Sequence, residues 1–370
     1  MGAVLIRRLD EHFGSLALAW DAEFDELLAV EGFGEITAEQ VVKQRRKCDP
    51  EALLEQHERE NSHFWTPDDS DYPRWLLEIP DPPPVLYYRG RVELLENQGV
   101  IPAVAIVGTR KPSDYGRRWT RRLSATLAQV GFTIVSGLAD GIDTEAHQSC
   151  LDVGGRTIAV LGTGVDVVYP YFNRKLSEQI AAQGLLLSEH PAGTQPDRVH
   201  FPRRNRIIAG LCRATLVIEA PQKSGSLITA RLANEYGREV YVLPGTLDNH
   251  RALGCIHLLS QGAQVIAGEA ELVKMLGTLP PLIQAGSGPN WPTGQLSLLD
   301  MAPPEPPSLE ALSLDPELEQ VFRAVPLEPL AVDLIVQKAG LATSAVLSAL
   351  SQLELLGLVS QLPGGRYQRG

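Results

Sequence analysis

The sequence predicts an α/β protein built on a doubly wound, mainly parallel sheet, because short apolar runs alternate with segments long enough for helices. The runs are continuously apolar, which is typical of parallel strands that are covered on both faces. They are Val104–Val107, Thr133–Val135, Thr157–Leu161, Leu185–Leu187, Thr215–Ile218, Val240–Leu243 and Gln264–Ile266. Right-handed crossovers between such strands produce an extended Rossmann-like domain.

The region before this alternation predicts a small helical domain over residues 1–65. Phe24, Leu27 and Leu28 have helical spacing, and we expect Thr37 to cap the next helix. The stretch 30–38 resembles a helix-hairpin-helix turn, whose glycines let backbone amides approach a phosphate. Residues 1–60 carry 14 acidic against 7 basic residues. This balance favours a structural or partner-binding module over one that touches nucleic acid.

Proline content and the pattern of apolar residues predict how the rest of the chain is divided. A proline-rich bridge, 79–84, leads into a predicted strand at Val85–Tyr88, which begins the central domain, 66–277. Eight prolines between Pro280 and Pro307 predict a linker over 278–315. Residues 316–370 have winged-helix composition, with three short helices and a hairpin around 363–365. The predicted recognition helix, Thr343–Leu356, has no Lys or Arg, which favours protein contact over DNA contact.

Composition limits the class of protein. Hydrophobic residues make up 44% of the chain and the mean hydropathy is −0.06, and no apolar run approaches the roughly 18 residues of a membrane span. The N-terminal segment lacks the order of a signal peptide, so we expect a cytoplasmic protein with no membrane contact. The four cysteines have no C-x-x-C spacing, which favours buried reduced thiols over a disulfide framework or a zinc site.

The charge is unevenly distributed along the chain. The net charge is −12, yet residues 101–276 carry 19 Lys and Arg against 15 Asp and Glu. The acidic excess therefore lies in the flanks, and the basic middle permits a nucleic-acid partner.

Two segments of the middle region have the residue types of phosphate-binding loops. The first, 201–210, places Arg203, Arg204 and Arg206 around Asn205, and arginine forks bind phosphate oxygens in a bidentate manner. The second, 223–229, places Lys223, Ser224, Gly225 and Ser226 where a helix is expected to start, which leaves backbone N–H groups for an anion. The phosphates can belong to a nucleotide, a sugar or a nucleic-acid strand.

Ligands of open parallel sheets bind beyond the carboxyl ends of the strands, where we expect Gly108, Thr109 and Arg110 to join these segments. Arg110 opens a basic cluster that continues into a predicted helix with Lys111, Arg117, Arg118, Arg121 and Arg122. For the last four, a solvent-exposed helix face without a binding role is an equally good interpretation. The nearest acids to the arginines of 203–206 are Asp197 and Glu219. Those arginines must therefore pair with an external anion or with carboxylates that are distant in sequence. For one of the three, a purely structural role is an alternative.

Residues suited to catalysis are few. Asp140, Asp143 and His147 lie close in sequence and permit metal binding or acid–base work, but Asp143 or Thr144 can equally cap a helix in which His147 packs. Neither a Walker A sequence nor G-x-G-x-x-G follows the first strand, which disfavours ATP hydrolysis and dinucleotide redox chemistry. We predict no catalytic residue, metal or cofactor. Tyr171, Phe172 and Phe201 suit either base stacking or core packing.

The ordered motifs of the central region resemble those of the DprA (Smf) family of DNA-processing proteins. The motifs extend over about 200 residues and comprise Tyr72-Pro73, 85–90, 107–110, Tyr115-Gly116, 136–143, Ala146-His147, Tyr169-Pro170, 201–210, 224–230, Pro244-Gly245 and Gly262-Ala263. No single motif is specific, but their order is.

The resemblance implies a non-enzymatic protein of natural transformation and recombination. It would bind single-stranded DNA, form a homodimer, and load RecA onto strands coated with single-strand-binding protein. The family's positive pocket corresponds to Gly108, Thr109, Arg110, Arg204, Asn205, Arg206, Ser224, Gly225 and Ser226. Arg203 and Lys223 are added on charge alone.

One departure and two alternatives accompany this expectation. Ile256 stands where family members usually have Asn, so the family's self-association and RecA surfaces are not carried over. A phosphoribohydrolase similar to the cytokinin-activating LOG proteins would also use anion-binding loops, although the P-G-G-x-G-T-x-x-E helix start of those enzymes is absent. In the other alternative, the basic loops pair with the chain's own acidic flanks in a scaffold.

Overall fold

The computed structural model describes residues 2–61, 63–277, 316–326, 330–355, 359–362 and 366–369. The chain forms two compact units, Met1–Ala285 and Gly286–Gly370. Among the described residues, no helix is both long and apolar enough to span a membrane.

The first unit begins with five helices and a core of their own. The helices are α1 (Ala3–Phe13), α2 (Leu16–Asp21), α3 (Phe24–Leu28), α4 (Glu35–Arg45) and α5 (Pro50–Glu60). Apolar side chains from α1 to α4 form a buried cluster around Leu27, which is fully buried. The predicted helical character of this region is confirmed.

The turn between α3 and α4 differs from the expectation for Thr37. Gly34 precedes the first residue of α4, so Thr37 is the third helical residue and cannot cap this helix. Gly32 has φ of +88°, in the left-handed region that favours glycine. Arg8 of α1 holds this turn through a 2.9 Å hydrogen bond from Nη1 to the Glu31 carbonyl.

The rest of the first unit surrounds one large sheet. Its strands are β1 (Phe64–Trp65), β2 (Leu86–Gly90), β3 (Ala103–Val107), β4 (Thr133–Ser136), β5 (Thr157–Leu161), β6 (Leu185–Ser188), β7 (Ala214–Val217), β8 (Glu239–Val242) and β9 (Gln264–Val265). Each strand predicted from the sequence is present. Among the described residues the spatial order is β1-β2-β6-β5-β4-β3-β7-β8-β9.

The sheet is mainly parallel and doubly wound. All neighbouring pairs among β3 to β9 are parallel, whereas β1 and β2 form an antiparallel edge next to β6. From β3 the chain proceeds outward to β4, β5 and β6, and then returns to the other side of β3 with β7. The switch point between β3 and β7 is the place where ligands bind in folds of this type.

Helices cover both faces of the sheet. They are α6 (Arg74–Leu77), α7 (Leu94–Asn97), α8 (Asp114–Gln129), α9 (Ile142–Asp152), α10 (Arg174–Gln183), α11 (His200–Leu211), α12 (Ser226–Glu235), α13 (Leu253–Ser260) and α14 (Glu269–Gly277). Val104 and Ile106 of β3 pack with α8, α9 and α14, while Ala105 and Val107 pack with α11 and α12. This alternation produces two buried layers and confirms the predicted fold class. Cys150, Cys212 and Cys255 are buried, but Cys48 is exposed, against the expectation for that residue.

The second unit has winged-helix elements. They are α15 (Pro316–Ala324), β10 (Leu330–Ala331), α16 (Val332–Ala339), α17 (Thr343–Leu355), β11 (Val359–Leu362) and β12 (Arg366–Arg369). Among its described residues β12 pairs antiparallel with both other strands, in the order β10-β12-β11. Val321, Ile335 and Leu350 lie in its apolar core. The predicted linker, 278–315, and the predicted turn, 363–365, lie outside the described residues.

Candidate nucleic-acid interface

A large open cavity lies at the switch point of the sheet. The switch-point cavity has a volume of about 980 Å³ and is lined by the loops after β3, β7 and β8 and by residues of α11 and α12. A smaller side cavity of about 200 Å³ adjoins it, because Arg110, Ala139, Tyr169, Phe201 and Arg204 line both. The strand ends that were expected to converge therefore do so.

The loop after β3 is clamped in place by its backbone. The Thr109 amide donates to the Glu219 carbonyl at 2.7 Å, and the Thr109 carbonyl accepts from the Ile142 amide at 3.2 Å. A Cβ at Gly108 would lie 2.6 Å from the Ile142 side chain, so only glycine fits there. The exposed side chain of Arg110 lines both cavities.

The start of α12 forms the opposite wall of the switch-point cavity. Ser224, Gly225 and Ser226 line it, and the two serine hydroxyls lie 2.7 Å apart. Asn205 Nδ2 donates to the Gly225 carbonyl at 3.3 Å, which joins α11 to this helix start. The exposed Lys223 adds a positive charge beside the amides of the first turn, and both features favour an anion.

The segment predicted as an arginine loop is the helix α11, so that prediction is wrong. The apolar residues Ile207, Ile208 and Leu211 pack this segment onto the sheet with helical spacing. Residues two apart on a helix are separated by about 200°, so Arg204 and Arg206 point in different directions.

Arg204 lies at the floor of both cavities. Its side chain is buried, and Nη1 donates to the carbonyl of Gly137 at 2.7 Å and to that of Val160. Burial lowers the pKa of Arg204 to about 10, with Asp143 opposing the effect and Arg110 adding to it. The guanidinium therefore remains charged at neutral pH and fastens α11 to the ends of β4 and β5.

Arg206 is paired within the protein and lines neither cavity. Its Nε lies 3.1 Å from Asp81 Oδ2, and its Nη2 lies 2.6 Å from Glu189 Oε2. The proline-rich bridge and the end of β6 thus supply the distant carboxylates that the sequence argument left open. Arg203 is exposed and also lines neither cavity.

Three cations that were not among the predicted site residues also line the switch-point cavity, namely Lys111, Arg198 and Arg251. Arg251 Nε donates to the Lys111 carbonyl at 2.8 Å, which joins the loops after β8 and β3. The rule that residues after strand ends converge would have found Arg251, and Lys111 adjoins Arg110. Arg198 precedes α11 and has no signal other than its charge.

These three cations, with Arg110 and Lys223, form a set of five exposed cations around the cavity. Within the part of the chain that the structure describes, none of the five takes part in an ion pair. A cleft of this kind attracts polyanions, because none of these five charges is balanced by a carboxylate in direct contact with it.

The arginines of α8 behave differently from the five exposed cations. Glu145 lies 2.7 Å from Arg117 and 2.6 Å from Arg121, while Glu269 lies 2.7 Å from Arg122. These two acids pair with three of the four arginines of the face that the sequence showed as positive.

Asp143 and His147 have structural partners. Asp143 Oδ2 accepts from the amides of Gly137 at 3.1 Å and Ala139 at 3.3 Å. His147 Nδ1 lies 2.7 Å from Thr157 Oγ1, and burial lowers the pKa of His147 to about 3. Among the described residues, no group of three or more His, Cys, Asp or Glu side chains is placed to hold a metal ion.

A doubly wound sheet with a cationic cleft at its switch point defines a Rossmann-like α/β protein. Residues 63–277 match the family described as DNA recombination-mediator protein A, and residues 302–365 match the DprA winged helix domain. Protein Smf from Synechocystis sp. is 52% identical over 384 aligned residues, which cover 100% of this chain and 96% of that protein. The chain belongs to the DprA/Smf family of DNA-processing proteins.

Solved structures of relatives share the fold. The X-ray structure of DNA processing protein A from Streptococcus pneumoniae has a TM-score of 0.64 at 36% identity, over 74% of this chain and 92% of that one. A structure that concerns the single-stranded DNA binding mode of DNA processing protein A from Helicobacter pylori has a TM-score of 0.52 at 34% identity. The match with the latter covers 58% of this chain and 95% of that one.

Proposed function

We propose that this protein binds single-stranded DNA in the switch-point cavity, holds it by its phosphates, and passes it to RecA. The observation that carries the proposal is the set of five exposed cations, which surround one cavity and have no ion-pair partner among the described residues. The Helicobacter pylori relative, which binds single-stranded DNA, supports the choice of a strand over a nucleotide or a sugar.

The proposed contacts come from three walls of the cavity. Arg110 and Lys223 bind phosphates directly, and the first turn of α12 supplies backbone amides. The residues assigned to the interface are Gly108, Thr109, Arg110, Lys111, Arg198, Arg204, Asn205, Lys223, Ser224, Gly225, Ser226 and Arg251. In this proposal Arg206 supports α11 through its ion pairs, and Arg203 contributes its charge from outside the cavity.

The same proposal includes dimer formation and the loading of RecA onto strands coated with single-strand-binding protein. Family membership supports this part of the proposal. The proposed role requires no catalytic residue. The division into residues 1–65, 66–277, 278–315 and 316–370 is likewise proposed, with the second segment sufficient for strand binding. The acidic flanks suit protein partners, because like charge keeps them away from the strand.

A titration with labelled oligonucleotides tests this proposal. The full chain should bind single-stranded oligonucleotides more tightly than the matched duplex, and it should speed RecA filament formation on strands coated with single-strand-binding protein. Equal affinity for both forms would contradict the strand-binding proposal. Binding without any effect on RecA would contradict the loading step alone.

An incubation with nucleoside monophosphates tests the enzyme alternative. A phosphoribohydrolase would release the free base, which chromatography detects directly. We expect no release above a sample without protein. Release that disappears in an Arg110→Ala variant would instead assign hydrolysis to this cavity.

A further inference from the structure

The turn that precedes α10 displays two large aromatic rings to solvent. Tyr171 and Phe172 open the 3-10 turn Tyr171–Asn173 and are 73% and 66% exposed. Aromatic residues normally bury most of their surface, so two consecutive rings at this exposure do not serve the core. The core-packing alternative from the sequence is thereby excluded for these two residues.

The backbone of this turn is anchored. Asn173 is only 3% exposed, and its Nδ2 donates to the Leu138 carbonyl at 3.0 Å and to Thr144 Oγ1 at 2.9 Å. Leu138 precedes Ala139, which lines both cavities. The exposed rings are therefore held at a fixed place relative to the cavity walls, which lowers the entropic cost of binding a ligand against them.

The two rings continue an aromatic series that begins inside the cavities. Tyr169 and Phe201 line both cavities, and their ring centroids lie 5.4 Å apart. The Cα atoms of Tyr169 and Tyr171 are at most about 7 Å apart, because two peptide units separate them. Tyr171 and Phe172 therefore follow closely on the part of the cavity wall that Tyr169 forms.

The charge beside the two rings suits a nucleic-acid backbone. Arg174 and Lys175 follow the turn directly and are both exposed. Arg174 Nε lies 3.1 Å from Glu178, which leaves its guanidinium partly balanced, while Lys175 forms no ion pair among the described residues. Exposed aromatic rings next to cations are the composition of grooves that bind single strands without sequence preference.

We infer that Tyr171 and Phe172 form a base-stacking platform for nucleotides of a single strand that lie outside the switch-point cavity. The inference rests on the proposed function and extends it from a phosphate pocket to a path along the protein surface. Every base has a π-face, so the platform adds affinity for longer strands without adding sequence preference.

Binding of fluorescently labelled oligo(dT) of 6 and 20 nucleotides to the full chain tests this inference. The Tyr171→Ala/Phe172→Ala variant should bind the 20-mer about tenfold more weakly or worse, from the loss of one or two stacked bases. Its affinity for the 6-mer should change much less, because fewer nucleotides of a short strand extend beyond the cavities. A Tyr171→Leu/Phe172→Leu variant should also lose affinity for the 20-mer, because leucine keeps apolar area but has no π-face.

The matched control is Val130→Ala/Val153→Ala, which removes exposed apolar side chains at the ends of α8 and α9. Photocrosslinking with 5-iododeoxyuridine placed along the 20-mer should mark the peptide that contains Tyr171 and Phe172. Wild-type affinity of the alanine or leucine variant for the 20-mer would overturn the inference. So would an altered oligomeric state with unchanged DNA binding, which would make the rings a protein interface. If the wild-type chain binds neither oligonucleotide, the proposed function itself fails.

Discussion

The carboxylate of Glu219 accepts two hydrogen bonds from Ser113, one from the backbone amide at 2.8 Å and one from Oγ at 2.6 Å. Glu219 follows β7, and Ser113 caps α8, which follows β3. A Cβ at Gly116 would lie 2.5 Å from Glu219 Oε2, so the first turn of α8 leaves room for the carboxylate. One buried acid therefore joins the two loops that flank the switch point.

Replacement of Glu219 by alanine should weaken both the fold and the cavity. The variant leaves the Ser113 amide and hydroxyl without their acceptor, and we expect a loss of about 2–3 kcal/mol in the free energy of unfolding. Urea unfolding measures this loss. Glu55→Ala removes an exposed pair with Arg59 and should change the same free energy by less than about 0.5 kcal/mol. Equal stabilities of the two variants would contradict the role given to Glu219.

A side chain at Gly141 should displace the loop that carries Arg110. Gly141 has φ of +81°, and a Cβ there would lie 2.5 Å from the Thr109 carbonyl oxygen. Gly141→Ala should therefore reduce stability and oligonucleotide affinity together. Gly154 also has a positive φ, of +72°, but a Cβ there would have nothing within 4 Å. Gly154→Ala should cost only about 1 kcal/mol of backbone strain and leave affinity unchanged. Unchanged affinity in the Gly141 variant would argue against a fixed Arg110 loop.

Arg206→Ala should lower the free energy of unfolding, because Asp81 and Glu189 would lose the cation that they share. The expected loss is about 3–5 kcal/mol, since the carboxylate of Glu189 is largely buried. Thermal unfolding measures this effect. The fraction that remains folded should bind single strands nearly as tightly as the wild type. A stable Arg206→Ala protein with weak binding would place Arg206 in the interface instead.

The stability of the fold should fall as the pH drops below about 6.5, partly because of His147. Burial lowers its pKa to about 3 from an ordinary value of 6.5, and the nearby Arg204 acts in the same direction. Between these values the unfolded chain binds the proton and the folded chain does not, so protonation favours unfolding. This histidine contributes a slope of about 1.4 kcal/mol per pH unit. Urea unfolding between pH 7 and 4 should show a slope smaller by that amount in His147→Gln, and identical slopes would contradict the prediction.

Strands β2 to β9 were predictable because each is a short apolar run next to a helical segment, whereas the two-residue strand β1 lies in the region predicted to be helical. The gathering of Gly108–Arg110 with Ser224–Ser226 then follows from the rule for strand ends, whereas the order of the strands is known only from the structure. Thr37 was placed wrongly because Gly34 takes the N-cap position, so α4 begins three residues earlier than a helix capped by Thr37 would.

The role of each arginine in 203–206 was not predictable from charge. Local sequence contains no acid near Arg206, and its partners Asp81 and Glu189 come from elements that only the folded topology brings to it. The same limit applies to Arg117 and Arg122, which are paired by Glu145 of α9 and Glu269 of α14. Ion pairs between residues far apart in the chain leave no signal in the spacing of residues along the sequence.

The salt dependence of single-strand binding tests the central claim most directly. If the five exposed cations contact phosphates, log affinity should fall against log salt with a slope of roughly −3 to −4, at about 0.7 per phosphate. Arg110→Ala should weaken binding across sequences and make the slope shallower by about 0.7, because phosphate contacts carry no sequence information. Arg122→Ala, which removes an arginine paired with Glu269 away from the cavity, should leave affinity and slope unchanged. Equal affinity and slope for wild type and Arg110→Ala would contradict a DNA site at the switch point.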